Sequence, residues 1–448
     1  MFKIKTITLS LLALLLVMSF ASCASDTTSD SPMPNKDMKT YLQVRVTVDG
    51  SGDTRASRAA TEPQGGEDGD GREPGINKEN EVNSLTVLLY KSDKADLSQD
   101  DAKIDYVYTF TGLTASTPSS GSNVTYTTNP REIDPIIVGK DYRVLVIANA
   151  GDMTSSCKGK KISEIRDMQM DKVCTRNDDI AKFSDFVMSS KKDAKIDFSG
   201  ASGSGTEANP YLVNVDIERL AARIDIIPNA TYVDTDKGYY YNVMDGTNVV
   251  GGFKLESVTP TNVMTKGEYL IKRVSPNAAV SAVTYFGLET KDAANKATNY
   301  VVCPWTKDRT GLTLSNAEGP TSLYNVQEVA STKSYILDYV MENTTTDNTE
   351  VNSTGLIFKG KYYEETEWNK TTKRPKATAT GTDKKYTYTL RHSDPSGSGT
   401  TADPMHFGVV RNNIYQVKVD GVEGKSKGIK LTIHVVPWAH YDHGEVIY

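Results

Sequence analysis

Tyr41-Leu42-Gln43-Val44-Arg45-Val46-Thr47-Val48, followed by Asp49-Gly50-Ser51-Gly52-Asp53-Thr54-Arg55-Ala56-Ser57-Arg58-Ala59, is the stretch on which the reading of this chain turns. Leu42, Val44, Val46 and Val48 recur at period two, so the first run reads as a strand with one apolar face. Asp, Gly and Ser then end it, and a polar tract rich in Gly, Asp and Glu continues to Gly75. A strand that must be buried is thus joined to its domain by a tether carrying Arg55 and Arg58. An arginine-specific protease that cut the tether would free the strand, and its groove would then be open to a replacement. Two arginines in a polar loop are ordinary by themselves, so the weight falls on the rest of the sequence.

The chain has 448 residues, enough for about two or three domains. Its 33 Gly, 17 Pro and 24 Tyr, with 24% charged residues, suit a loop-rich β-protein. The net charge of −6 leaves no basic footprint for nucleic acid. Lys3 and Lys5 precede an apolar run over 7–17, and Phe20-Ala21-Ser22-Cys23 closes it. The run is too short for a membrane span, so residues 1–22 read as the signal peptide of an exported lipoprotein, with Cys23 as the lipidated residue. Residues 23–58 then form a propeptide that holds the removable strand. Of the other cysteines, Cys157 and Cys174 are spaced so that they could pair, or all of Cys157, Cys174 and Cys303 are buried free thiols.

Beyond the tether the sequence alternates repeatedly. Leu85, Val87 and Leu89 alternate, as do Ile104, Tyr106, Tyr108 and Phe110, and 142–149 is apolar on both faces, as in a central strand. Only 162–173 has a helical rhythm, carried by Ile162, Ile165, Met168 and Val173. The string 202–210, Ser-Gly-Ser-Gly-Thr-Glu-Ala-Asn-Pro, returns at 396–404 with seven of nine positions identical, each time ahead of a strand. This suggests two related β-domains, 59–212 and 213–448. The run 213–227 is long enough to be one bent strand or to bridge both. Further strands are expected near 253–258, 269–271, 282–286, 300–303, 335–339, 356–363, 386–390 and 405–419. Strands at this spacing favour β-sandwiches, so the fold class is all-β with minor helix.

The chain ends as it begins. Ile429, Leu431, Ile433 and Val435 alternate on one face, Pro437-Trp438 follows, and a tail runs to Val446-Ile447-Tyr448. Such a segment either caps its own sheet or fills a groove in a neighbour. These six aliphatic residues, Val446 and Ile447 included, are the candidate donor side chains.

Several strings resemble the FimA/Mfa family of type V pilins from Bacteroidales. They are Phe20-Ala21-Ser22-Cys23, the first strand with its Arg-Ala junctions, Val146-Ile147-Ala148-Asn149-Ala150, Phe186-Val187-Met188-Ser189, 219–224, Pro304-Trp305-Thr306, Arg411-Asn412-Asn413-Ile414-Tyr415 and Val436-Pro437-Trp438. In length and layout the chain is similar to the shaft pilins of the short (Mfa-type) fimbriae of Porphyromonas. The resemblance implies two tandem transthyretin-like Greek-key β-sandwiches and a precursor lipidated at the outer membrane. It also implies cleavage by a gingipain-type protease after Arg55 or Arg58, with Arg72 a third, less similar, junction. Polymerisation would follow, as a neighbour's C-terminal segment fills the vacated groove. The partners implied are copies of the chain itself, anchor and tip fimbrial subunits, and host or bacterial surface receptors. The implied role is a structural subunit of a cell-surface fimbria that supports adhesion and biofilm formation.

No phosphate loop, nucleophile elbow or zinc-protease helix motif is present, so no enzyme is expected. His440-Tyr441-Asp442-His443-Gly444-Glu445 holds metal-binding residue types, but in a terminal tail these read as solvated side chains. No metal or cofactor is expected. Two rival readings remain at this level. One is a tip adhesin or carbohydrate-binding surface lipoprotein using Tyr239-Tyr240-Tyr241. The other is an anchor subunit that keeps Cys23 and its first strand uncleaved.

Overall fold

An apolar-faced strand at a chain terminus must find a sheet to join, and the first strand joins one in its interior. The computed structural model describes residues 39–48, 73–74, 77–91, 101–116, 124–134, 141–166, 168–177, 180–191, 193–198, 205–234, 238–264, 267–269, 273–274, 285–286, 335–344, 354–392, 408–424 and 428–439. Two large sheets dominate them, each of ten strands. The protein is all-β with minor helix.

The first sheet runs in the order Ile104–Thr111, Ser84–Tyr90, Asp141–Ala148, Met188–Ser190, Tyr211–Arg219, Thr40–Val48, Thr125–Thr127 and Thr114–Ala115. Ala194–Asp197 also pairs with 141–148, and Arg131–Ile133 with 40–48. Leu85, Val87 and Leu89 share one core cluster with Leu42, Val44 and Val46. Their strands stand four places apart in the sheet order, roughly 19 Å in a flat sheet at the usual strand spacing. Residues 85–90 are buried on both faces, as a strand between layers must be.

The second sheet runs Glu73–Pro74, Gly428–Ala439, Asn413–Glu423, Gly238–Asp245, Asn248–Thr261, Gly355–Glu364 and Thr382–Thr389. Ala221–Ile227 pairs antiparallel with Tyr335–Met341 and parallel with 413–423. Its core holds Ile224, Ile226, Tyr239, Tyr241, Phe253, Phe358 and Tyr415.

Of the two readings of 213–227, one bent strand or a bridge, the pairing matches the bridge: 211–219 pairs in the first sheet and 221–227 in the second, with Leu220 between them at 0% exposure. The residue at which the chain changes sheets is Leu220. Two expected elements differ in the structure. The helix expected over 162–173 spans only Ile162–Arg166. Ile162 and Ile165 are buried as the rhythm implied, but Gln169–Met170 pairs with Gly267–Glu268, and a backbone committed to that ladder cannot continue a helix. The strand expected at 269–271 is that partner, placed two residues earlier. The strand expected at 300–303 and the second Ser/Gly string lie outside the described residues.

Leu220 packs in the first core at the point where the chain crosses between sheets. Leu220→Ala is expected to lower stability by about 2 to 5 kcal/mol through the cavity it leaves. Urea unfolding measures this, and a loss under about 1 kcal/mol would mean the crossing point is loosely packed.

Candidate functional site

Alternation in the first strand puts Leu42, Val44, Val46 and Val48 inward, and each is 0% exposed. Gln43, Arg45 and Thr47 point to the outer face, with Arg45 exposed. The strand lies parallel to 211–219, in register from Leu42↔Tyr211 to Val48↔Ile217. Its other edge pairs antiparallel in two pieces, Arg45↔Thr127 to Thr47↔Thr125 and Thr40↔Ile133 to Leu42↔Arg131. Both edges of the strand are thus hydrogen bonded, and Arg45 sits in backbone that no protease can take as an extended substrate while it stays there. Burying four aliphatic side chains is worth roughly 6 to 12 kcal/mol gross, before ordering costs.

The start of the strand is fixed by the first Ser/Gly string. Gly205, at φ +89, adopts a backbone conformation that favours glycine, and its N–H donates to the Asn209 carbonyl at 2.8 Å. The turn so formed aims the Gly205 carbonyl at Tyr41 N–H, also at 2.8 Å. A Cβ at this position would stand 2.5 Å from the Tyr211 ring.

Beyond the short pairing of Glu73–Pro74, Asn77–Asn80 forms one helical turn that bonds to Arg219 of the first sheet and Arg223 of the second. Glu79 is 0% exposed, and Arg223 Nη1 donates to its carboxylate at 3.2 Å while the Tyr339 hydroxyl donates to Oε1. Arg223 also forms a two-armed pair with Asp225 at 2.9 and 2.7 Å. Arg219, fully buried at the end of the groove strand, donates to the Glu79 carbonyl at 3.0 Å, to Asn412 Oδ1 at 3.2 Å and to Asn80 Oδ1. Burial lowers the Arg219 pKa to about 10, against the opposing pull of Glu79, so the guanidinium stays charged at neutral pH. For Arg223 burial acts the same way, but Asp225 and Glu79 outweigh it and the net shift is upward. Burial, reinforced by Glu79, raises the Tyr339 phenol. Nearby, Arg411 Nε donates to Glu342 at 2.8 Å, both nearly fully buried, and its fork reaches the Glu268 carbonyl at 2.9 Å.

Four of the strings quoted from the sequence, 146–150, 186–189, 219–224 and 411–415, meet at or beside this junction. Asn149, at φ 59, accepts from Asn83 N–H at 2.9 Å and donates to the Glu81 and Phe186 carbonyls. Asn412 N–H donates to the Ala221 carbonyl at 2.7 Å. Charged residues inside an otherwise apolar run, Arg219, Arg223 and Asp225, were the sequence signal for a buried polar junction. Thr128 and Glu79 were not singled out, although Thr128-Asn129-Pro130 has the composition of a strand interruption.

Other expected residues fall as follows. Ile433 is buried and Ile429, Leu431 and Val435 half-buried against the second core, in the strand 428–439 that pairs antiparallel along 413–423. On its outer edge, among the described residues, only Glu73–Pro74 pairs with it, at Trp438 and Ala439. Tyr239, Tyr240 and Tyr241 are all buried, and the Tyr241 hydroxyl donates to the Pro228 carbonyl. They are packing residues, and no aromatic platform is exposed there. Cys157 and Cys174 are both buried free thiols, and burial pushes their pKa values up to about 11 and about 12. Cys23, Arg55, Arg58, Arg72, Cys303, the 440–445 tail, Val446 and Ile447 lie outside the described residues.

Fold and site together define a two-sheet β-protein whose first described strand occupies an interior slot of a sheet. Residues 40–207 match the family described as major fimbrial subunit protein (FimA). Among curated proteins none matches in sequence. Among solved structures the chain is similar to the tip fimbrial protein Mfa3 from Porphyromonas gingivalis, at 12% identity and TM-score 0.38, covering 90% of this chain and 100% of that one. It is also similar to a fimbrilin, FimA, from Porphyromonas gingivalis, at 14% identity and TM-score 0.40, covering 90% and 99%. A fimbrial assembly protein from Parabacteroides distasonis matches at 13% identity and TM-score 0.41, covering 89% and 99%.

Removing Glu79 leaves two buried guanidiniums, Arg219 and Arg223, facing the single carboxylate of Asp225, so Glu79→Leu is expected to cost about 3 to 5 kcal/mol. Chemical denaturation checks this, and a loss below about 1 kcal/mol would show that the junction does not hold the sheets together.

Proposed function

We propose that this protein is a structural subunit of a cell-surface fimbria that polymerises after proteolytic release of its first strand. The observation that carries the reading is the position of 40–48: four fully buried side chains and two paired edges, in a segment that precedes a tract with Arg55 and Arg58. While in place, the strand plugs the groove. Once it leaves, the groove presents two bare strand edges and an apolar floor, an aggregation-prone state that a partner strand relieves.

In this account the precursor is exported, lipidated on Cys23 and held at the outer membrane. An arginine-specific protease cuts after Arg55 or Arg58. A neighbour's C-terminal segment then enters, with Ile429, Leu431, Ile433 and Val435 or the following Val446 and Ile447 as its apolar residues. The edge position of 428–439 favours this, because the strand can leave its own sheet by opening essentially one ladder. Anchor and tip subunits would complete the filament, and its surface would serve adhesion and biofilm formation. Burial of Tyr239-Tyr240-Tyr241 removes the feature that spoke for a carbohydrate-binding module.

Arg55→Lys/Arg58→Lys/Arg72→Lys protein should keep residues 40–48 after arginine-protease treatment and stay monomeric, while the unaltered protein should begin at Ala56 or Ala59 and give ladders on gels. Mass spectrometry of protein from the cell surface decides: an acylated Cys23 retained in assembled filaments would sink the proposal.

A further inference from the structure

The groove has one wall position unlike the rest. Between 125–127 and 131–133 the ladder is interrupted at Thr128-Asn129-Pro130, where proline has no N–H to offer. Gln43 and Val44 therefore have no strand partner on that side, and Thr128 alone serves them. Its N–H donates to the Val44 carbonyl at 2.9 Å, and its hydroxyl accepts from Val44 N–H at 3.0 Å. Its own carbonyl, freed from the ladder, accepts from Gln43 Nε2 at 2.8 Å. Thr128 is 2% exposed and Val44 0%.

We infer that Thr128 sets the register of whatever strand occupies the groove, and that a second copy of this chain enters with Leu431 at the Val44 position. The inference rests on the strand-replacement reading above. An ordinary ladder is indifferent to a slip of two residues, because the apolar face and the backbone bonds both repeat. Thr128 is not indifferent. It needs a residue with a free N–H, preceded by a side chain long enough to donate to its carbonyl. In Leu42-Gln43-Val44-Arg45-Val46-Thr47-Val48 that pair is Gln43-Val44. In Ile429-Lys430-Leu431-Thr432-Ile433-His434-Val435 it is Lys430-Leu431, and this alignment also lays Ile429, Leu431, Ile433 and Val435 onto the four inward positions. A slip of two places the shorter Thr432 beside the carbonyl and brings Pro437 to the Val48 position, so it fits worse at both ends.

The probe is a labelled peptide of residues 428–436, which contains no arginine, exchanging into full-length protein cut within 49–72, with the protease then inhibited. Exchange is expected with unmodified protein and with Thr128→Ser, and about tenfold weaker binding with Thr128→Val, whose folding is checked by its melting temperature. An ester in place of the Leu431 amide, which removes the N–H, is expected to cost about tenfold against unmodified protein and less than twofold against Thr128→Val. Register is read directly through Leu212, the exposed residue opposite Gln43. A Leu212→Cys protein should form a disulfide with a Lys430→Cys peptide and not with a Thr432→Cys peptide. Equal cost of the ester in both proteins, or cross-linking through 432, would overturn the role of Thr128 while leaving strand replacement standing. Failure of every peptide to enter the cut, unmodified protein would overturn strand replacement itself.

Discussion

Two-sided pairing of residues 40–48 is the constraint on which the rest of the structure depends. A strand on an edge can be lost with one ladder, but this one carries 211–219 on one side and 125–133 on the other. Without it the first sheet is divided and its apolar floor is open. The chain nevertheless begins its fold with this strand and follows it with the residues 49–72. Sequence order and sheet order are thus set against each other: the first described strand of the chain is one of the innermost strands of its sheet. Under the proposed function, that arrangement would make a monomer that is closed until cut and incomplete afterwards.

The buried junction around Glu79 gives the arrangement a fixed frame. Arg219 ends the strand that walls the groove, and Arg223 lies three residues past the crossing at Leu220. Both are held by the short helix 77–80, which is downstream of the tether and so stays with the body after a cut at Arg55 or Arg58. Desolvating this many charges is costly, and it is tolerable only because each guanidinium finds carboxylate or carbonyl partners. Such a junction favours one relative arrangement of the sheets over others.

Much of this was legible in the sequence where a single physical signal acts alone. Leu42, Val44, Val46 and Val48 read correctly because one face is buried and one is not. The all-β class followed from many such runs. Less legible were the features that depend on distant partners. The rhythm of Ile162, Ile165 and Met168 suggested a longer helix because pairing of 169–170 with 267–268 is invisible locally. The run 213–227 read equally as one bent strand or as a bridge, because 211–219 and 221–227 have similar composition, and only the strand pairing puts the crossing at Leu220. Tyr239-Tyr240-Tyr241 admitted both a binding and a packing role, and only the closing of the second core decides between them. Thr128 has no chemical signature in sequence at all. Its importance comes from standing where a ladder is broken.

The most direct test is the structure of the assembled filament, determined by electron cryomicroscopy from protein processed on its native surface. The account predicts that residues 40–48 are gone and that a strand from the adjacent subunit runs parallel to 211–219 in their place. Filaments in which each subunit keeps its own 40–48 strand in the groove would contradict it.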